Sequence, residues 1–292
     1  MMRSPFDADK VGPSRLRRRM ALAVLAGAAV LVAGAAEAAQ KAAVAKQPAA
    51  QGEGLKVAVE GEYPPFNETG PDGRLKGFDV DIAQALCAHI GARCELVKQQ
   101  WDRMIPDLAA GKYDMIVSSM SITDTRRATM DFTDAYYHTP AKFVGRKGAF
   151  AGLTADGLAG KRIGVQRATI HDSYLTDTYG GRAEITRYDT LEKAQADLVA
   201  GKLDLLFADA IALNDGFLKT AKGKSFEFAG PDVRDPRWFG EGIGIAVRKG
   251  NTGLRDRLNQ ALAAIRADGT FERIEKKYFP FDIGDVKRTA MP

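Results

Sequence analysis

Histidine is scarce in this chain, and its three copies, His89, His138 and His171, show no metal-ligand spacing with one another or with the two cysteines, Cys87 and Cys94. That excludes the usual zinc motifs, so no metal ligands are assigned. Enzyme signatures are also missing. There is no Gly-x-Ser-x-Gly elbow and no His-Glu-x-x-His. Gly223-Lys224-Ser225 ends like a phosphate-binding loop, but position 218 is Leu where the first Gly of that motif must stand. No catalytic residue and no cofactor is indicated. Long apolar runs are absent as well: Met20 to Val32 is too short to span a bilayer as a helix.

That short run has another meaning. Arg15, Arg17, Arg18 and Arg19 precede it and Ala36-Glu37-Ala38 follows it, which is the layout of a secretory signal with its cleavage site. Residues 1–38 are therefore expected to be a signal peptide and 39–53, rich in Ala and Gln, a flexible leader. The first 38 residues hold six basic and three acidic side chains, so of the net charge of +5 only about +2 remains beyond them. A charge that small, without a clustered basic face, argues against a nucleic-acid partner. In an oxidising compartment Cys87 and Cys94 are expected to form a local disulfide.

Beyond the leader, strands and helices alternate. Lys56-Val57-Ala58-Val59 reads as a strand that stops at Glu60, where Gly61, Pro64 and Pro65 exclude helix and central strand. Asp79 is expected to cap a helix that ends at Gly91, followed by a strand at Cys94 to Val97, a helix from Trp101 to Ala110 and a strand from Tyr113 to Val117. A second round runs through a strand at Arg162 to Val165, a helix at Ile170 to Tyr179, a strand at Ala183 to Thr186, a helix at Leu191 to Ala200 and a strand at Leu203 to Phe207. Asp107-Leu-Ala-Ala-Gly-Lys-Tyr-Asp114 recurs as Asp197-Leu-Val-Ala-Gly-Lys-Leu-Asp204. This order predicts two similar α/β lobes with mainly parallel sheets and a cleft between them. Lys142 to Gly148 and Gly244 to Gly250 are alike and read as the two strand crossings of a hinge. Lobe 1 is then 54–141 plus 241–292, and lobe 2 is 142–240.

Ligands of open parallel sheets bind beyond the carboxyl ends of the strands. That rule selects Glu60 and Tyr63, the loop Ser118-Ser119-Met120-Ser121-Ile122-Thr123-Asp124-Thr125-Arg126, the segment Gln166 to His171, and Asp209. Carboxylates, hydroxyls, aromatic faces and a guanidinium together suit a small zwitterion. Each has a plainer alternative. Thr123 to Arg126 would also make a helix start, Asp209 a helix cap, and Tyr63 and Trp101 packing groups.

Glu60-Gly-Glu-Tyr63-Pro-Pro-Phe66, Gly77-Phe-Asp79-Val-Asp81, Ser118 to Arg126, Phe228-Ala-Gly-Pro231, Phe239-Gly-Glu-Gly-Ile-Gly244 and Asp268-Gly-Thr-Phe271 occur in order along the chain. With the Cys87 and Cys94 pair, they resemble the periplasmic solute-binding proteins of amino-acid ABC importers (family 3). Within that family the likeness is to the lysine/arginine/ornithine- and histidine-binding group. The resemblance implies a two-lobed Venus-flytrap fold (type II) and a soluble, monomeric periplasmic receptor. It would deliver a basic amino acid, such as arginine, lysine, ornithine or histidine, to an inner-membrane permease. It also implies that Arg126 clamps the α-carboxylate with Ser121 and the Thr169 loop, that Asp209 receives the α-ammonium, and that Ser118 and Ser119 add contacts near the head group. By the same likeness Tyr63 and Trp101 sandwich the ligand side chain, and Glu60, with Asp79 nearby, meets its cationic end. Ala168-Thr169-Ile170-His171 departs from the family's Gly-Ser/Thr-Thr-Gln loop by losing a hydroxyl and replacing an amide with an imidazole. Glu rather than Asp at position 60 shortens the space for a ligand, and related Glu-bearing members bind opines. An opine receptor, or an enzyme like the periplasmic cyclohexadienyl dehydratases, are the alternatives.

Overall fold

The computed structural model describes residues 53–284. The expected signal peptide and all but the last residue of the leader lie outside them. The first part of the chain forms β1 (Gly54–Val59), β2 (Glu62–Tyr63), β3 (Asn67–Thr69), β4 (Leu75–Lys76), α1 (Phe78–His89), β5 (Arg93–Lys98), α2 (Trp101–Ala109), β6 (Met115–Ile116), α3 (Asp124–Arg127) and β7 (Met130–Phe132). The middle part forms β8 (Ala141–Arg146), β9 (Arg162–Gln166), α4 (Ile170–Tyr179), β10 (Glu184–Tyr188), α5 (Leu191–Val199), β11 (Leu205–Asp209), α6 (Ala210–Leu213), β12 (Phe226–Val233) and α7 (Pro236–Phe239). The chain ends through β13 (Ala246–Arg248), α8 (Thr252–Ala267) and α9 (Thr270–Tyr278).

Two five-stranded sheets share one plan. Their orders are β5-β1-β6-β13-β7 and β10-β9-β11-β8-β12. In the first, β1 is parallel to β5 and β6, and β13 runs antiparallel to both its neighbours. In the second, β9 is parallel to β10 and β11, and β8 is antiparallel to both of its own. The two alike segments thus supply the equivalent fourth strands, and the chain passes between the sheets in the residues before each. That refines the expected crossings: a β-rich run buried between two neighbours gains a full ladder on both edges, which a bare connection would forgo.

The internal repeat survives at the level of single hydrogen bonds. Gly111 and Gly201, which end the helices α2 and α5, both have φ +74°, a conformation open to Gly without a Cβ penalty. Lys112 N–H donates to Asp107 O and Lys202 N–H to Asp197 O, closing both helices alike. Asp114 Oδ2 accepts from Lys56 N–H at 2.8 Å, and Asp204 Oδ2 from Arg162 N–H at 2.9 Å, so each repeat aspartate pins the neighbouring parallel strand.

Burial follows the pattern of strands covered on both faces. Val57, Ala58 and Val59 in β1 and Leu205, Leu206 and Phe207 in β11 are all fully buried. In α1 the residues Val80, Ile82, Ala83, Leu86 and Cys87 face the core, and the expected Cys87–Cys94 disulfide joins its last turn to β5. One expectation is corrected. Gly77, not Asp79, occupies the N-cap of α1, and Asp79 lies inside the first turn with its carboxylate wholly buried. Its oxygens are drawn instead to three donors of the core. The small sheet β2-β3-β4 was not anticipated, because Pro64 and Pro65 mask strands of two and three residues.

Candidate functional site

β1, β6, β9 and β11 all deliver their carboxyl ends to one place. A narrow cavity is lined there by Glu60, Tyr63, Trp101, Ser118, Ser119, Ser121, Arg126, Gln166, Thr169, Ile170 and His171. A larger cavity adjoins it, sharing Tyr63, Ser119, Ser121, Ile170 and His171 and adding Asp209, His138, Thr139 and Arg234. Of the residues given an individual ligand role from the sequence, only Asp79 lines neither cavity.

Arg126 begins from a capped turn. Thr123 Oγ1 accepts from Arg126 N–H at 3.3 Å at the start of α3, so the plainer reading of this loop is realised along with the buried guanidinium. The side chain is 8% exposed and donates to Ser121 O at 3.0 Å, with its Cζ 5.5 Å from the centre of the Trp101 ring. Among the described residues no carboxylate lies within ion-pairing distance of it. Desolvation alone brings its pKa down to about 10.

The two cleft carboxylates are in the mirror situation. Glu60 is 4% exposed, and burial raises its pKa to about 7, against a lowering hydrogen bond from Gln166 and the weaker, opposed effects of Glu62 and Lys98. Its backbone N–H donates to Ser118 Oγ at 3.0 Å, which spends that hydroxyl on joining the ends of β1 and β6. Asp209 is 7% exposed and burial raises its pKa to about 7. Its Oδ1 accepts from Ile211 and Ala212 N–H at 2.8 and 2.9 Å, so it is a helix cap as well as a cavity residue. Among the described residues neither carboxylate has a cationic side chain in ion-pair contact, a costly state unless a cation arrives.

Asp79 stands one layer back. It accepts from Asn67 Nδ2 and Ser119 Oγ at 3.0 Å each and from Tyr136 OH at 2.6 Å, while Tyr137 OH donates to Ser119 Oγ at 2.7 Å. Burial raises the pKa of Asp79 to about 6. The network holds Ser119, whose φ of +49° is unusual for a residue with a side chain. Thr169 caps α4 by accepting from Asp172 N–H at 3.1 Å, and its hydroxyl donates to Gln166 O at 2.8 Å, so that hydroxyl is engaged locally. His171 packs against Phe207 and Phe239, and desolvation with the nearby Arg126 charge lowers its pKa to about 3. It is a neutral group at any physiological pH.

The sheets touch across the cleft. Trp101 Nε1–H donates to Ala168 O at 3.0 Å, Gln166 Nε2–H donates to Glu60 Oε1, and Arg167 stands 4.0 Å from Asp102. Gly216, after α6, is so near Pro64 that an added Cβ would lie 3.0 Å from its carbonyl oxygen. Gln166 is the polar residue of the first cavity that sequence reasoning did not single out, as His138, Thr139 and Arg234 are of the second. It fell inside the selected segment Gln166 to His171, but an uncharged amide at a strand end carries no pattern of its own.

The whole described region resembles known proteins. Residues 55–281 match the profile of bacterial extracellular solute-binding proteins, family 3. An L-arginine-binding protein of Pseudomonas aeruginosa is 46% identical over 230 residues, covering 78% of this chain and 89% of that protein. A histidine-binding periplasmic protein of Escherichia coli is 39% identical over 236 residues, covering 80% of this chain and 91% of that protein. Among solved structures, a Salmonella typhimurium periplasmic binding protein described for its high arginine specificity has a TM-score of 0.72 at 31% identity, covering 78% of this chain and 99% of that one. The chain belongs to the bacterial extracellular solute-binding proteins of family 3.

Proposed function

We propose that this protein is the periplasmic receptor of an ABC importer, which captures a basic L-amino acid and hands it to a membrane permease. The observation that carries this reading is the set of buried charges in the joined cavities: one guanidinium, Arg126, and two carboxylates, Glu60 and Asp209, none in an ion pair among the described residues. Its complement is a molecule with one carboxylate and two cationic groups. Arg126 takes the α-carboxylate, Asp209 the α-ammonium and Glu60 the side-chain cation, with Tyr63 and Trp101 beside the stem. Because these groups hang from two sheets, only a ligand that carries all three charges holds the lobes 54–141 with 241–292 and 142–240 together. The names of the relatives support the ligand class and the periplasmic site of action. A monomer suffices for this role.

Calorimetric titration with arginine, lysine, ornithine and histidine tests it. Binding of at least one below about 100 μM is expected, a range that one anchored zwitterion readily reaches. No binding of any of the four overturns the reading.

One observation favours a second reading. A cleft carboxyl held near neutrality, as Glu60 is, has the property of a general acid. Turnover of prephenate or arogenate would identify a dehydratase; we infer a receptor, because the same raised pKa follows from a cation site without its cation.

A further inference from the structure

Gln166 is the last residue of β9 and Glu60 follows the last residue of β1, so their hydrogen bond joins the two sheets inside the cavity. The amide also donates from Nε2 to Asp189 O at 3.2 Å. A backbone carbonyl can only accept, so this contact fixes which way the amide faces: Nε2 toward Asp189 and Glu60, Oε1 on the other side. Both amide hydrogens are thereby used. Among the described residues no group donates to Oε1 of Gln166 or Oε2 of Glu60, and neither oxygen is sealed from solvent, since the buried side-chain polar atom left without a partner among those residues is Asp215 Oδ2. The cavity is thus lined by one unfilled acceptor oxygen from each sheet, on two side chains already joined by a hydrogen bond.

We infer that Gln166 is a specificity-determining residue: with Glu60 it makes a paired-oxygen acceptor that selects a guanidinium over an ammonium, so that guanidino amino acids are the preferred ligands. This rests on the proposed basic-ligand reading. A guanidinium is planar, presents its N–H donors as a fork and is weakly hydrated, so it meets two oxygens at once and enters a dry site cheaply. An ammonium is compact and strongly hydrated, and two acceptors on one side leave part of its donors unmet. The selection is also coupled to closure, because the second oxygen arrives only when the sheets meet.

The test is titration of the full protein and of Gln166→Met, which keeps length and shape but has no amide, with arginine, lysine and ornithine. Wild type is expected to favour arginine over lysine about tenfold or more, and the variant to lose about tenfold for arginine but less than about threefold for lysine and ornithine. A collapsed arginine-to-lysine ratio supports the inference, since a merely structural role would weaken all three alike. An equal loss for all three, an unchanged ratio or a wild-type preference for lysine overturns it. If wild type binds none of the three and no histidine either, the basic-ligand reading falls, and this inference with it; binding of histidine alone, or binding with an unchanged ratio, overturns this inference alone. Unliganded thermal unfolding verifies that the variant folds, and Gln166→Leu serves with the same readouts if it does not.

Discussion

The indole N–H of Trp101 donates to the carbonyl of Ala168 at 3.0 Å, tying the first turn of α2 to the loop after β9 on the other sheet. Ala168 has φ +57°, so its carbonyl is aimed by a backbone that a residue with a Cβ rarely adopts. The bond exists only when the sheets are together. Trp101→Phe keeps an aromatic face and removes the donor. At about 1 kcal/mol for one net hydrogen bond, the closed state should lose about fivefold in population relative to the open one. Titration should therefore show a similar loss for arginine and lysine, and small-angle scattering of the liganded variant should give a larger fraction of open molecules. A loss confined to one ligand would mean that the indole acts through the side chain it touches.

Arg126 sets binding against stability. A buried guanidinium without a carboxylate partner costs stability in the unliganded protein, and the ligand removes that cost. Arg126→Met fills the same space without charge. Binding of every amino acid should fall by about a hundredfold or more, the value of a bidentate charge-assisted pair. The unliganded melting temperature should rise, by about 2–4 °C for each kcal/mol recovered. A variant that melts lower than wild type without ligand would mean that Arg126 has structural partners worth more than its desolvation.

The carboxylates predict opposite pH trends for unliganded stability and for affinity. Glu60 and Asp209 titrate at about 7 and Asp79 at about 6 in the folded protein, all above their unfolded values. The folded state therefore holds more protons than the unfolded one between about pH 4 and 7, and its stability falls as pH rises through that window. A cationic ligand returns Glu60 and Asp209 to the charged form and releases their protons. Affinity for arginine should then rise from pH 5 to 8, up to about tenfold per pH unit for each proton released, and flatten above. Melting curves with and without saturating arginine check both signs: the unliganded curve should lose stability from pH 5 to 8, and the liganded one should lose less, keeping only the share of Asp79, which the ligand does not touch. His171, neutral in the folded protein down to about 3, opposes part of the stability trend below the ordinary histidine value, because only the unfolded chain takes up that proton; it leaves the affinity trend unchanged.

The repeat was the most legible part of the sequence, because its evidence is local. A helix stopped by Gly111 or Gly201, then a strand opened by Asp114 or Asp204, is written in consecutive residues, and both copies occupy the third place of their sheets. Aligning Gly111 with Gly201 also sets Ser119 opposite Asp209, and both line the larger cavity. What the sequence hid depends on residues far apart. Gln166 gains its place from Glu60, 106 positions away, and Asp79 its surroundings from Asn67, Ser119 and Tyr136 on three other segments. The carboxylate of Asp79 looked like a helix cap or a ligand group because spacing alone does not reveal which donors a core will bring to it. The equivalence of β8 and β13 was half visible in their similar residues, but their place as fourth strands needed the pairing itself.

Asp79 separates contact from support. Its carboxylate takes three donors and reaches neither cavity, so any effect on a ligand must pass through Ser119. In Asp79→Asn one oxygen becomes an NH2 group. Placed toward Asn67 and Ser119, that group meets the NH2 of Asn67; placed toward Tyr136, it forces the tyrosine to accept. Either arrangement weakens the network, and a broken buried hydrogen bond costs about 1–3 kcal/mol. The melting temperature should drop, and affinity should fall by a similar factor for arginine, lysine and histidine, because Ser119 borders the region where their shared head group would sit. A residue that met the cationic end directly would behave otherwise, with unchanged melting and losses graded by the charge of the ligand side chain. Titrating the variant with the three ligands alongside a melting curve distinguishes the two roles.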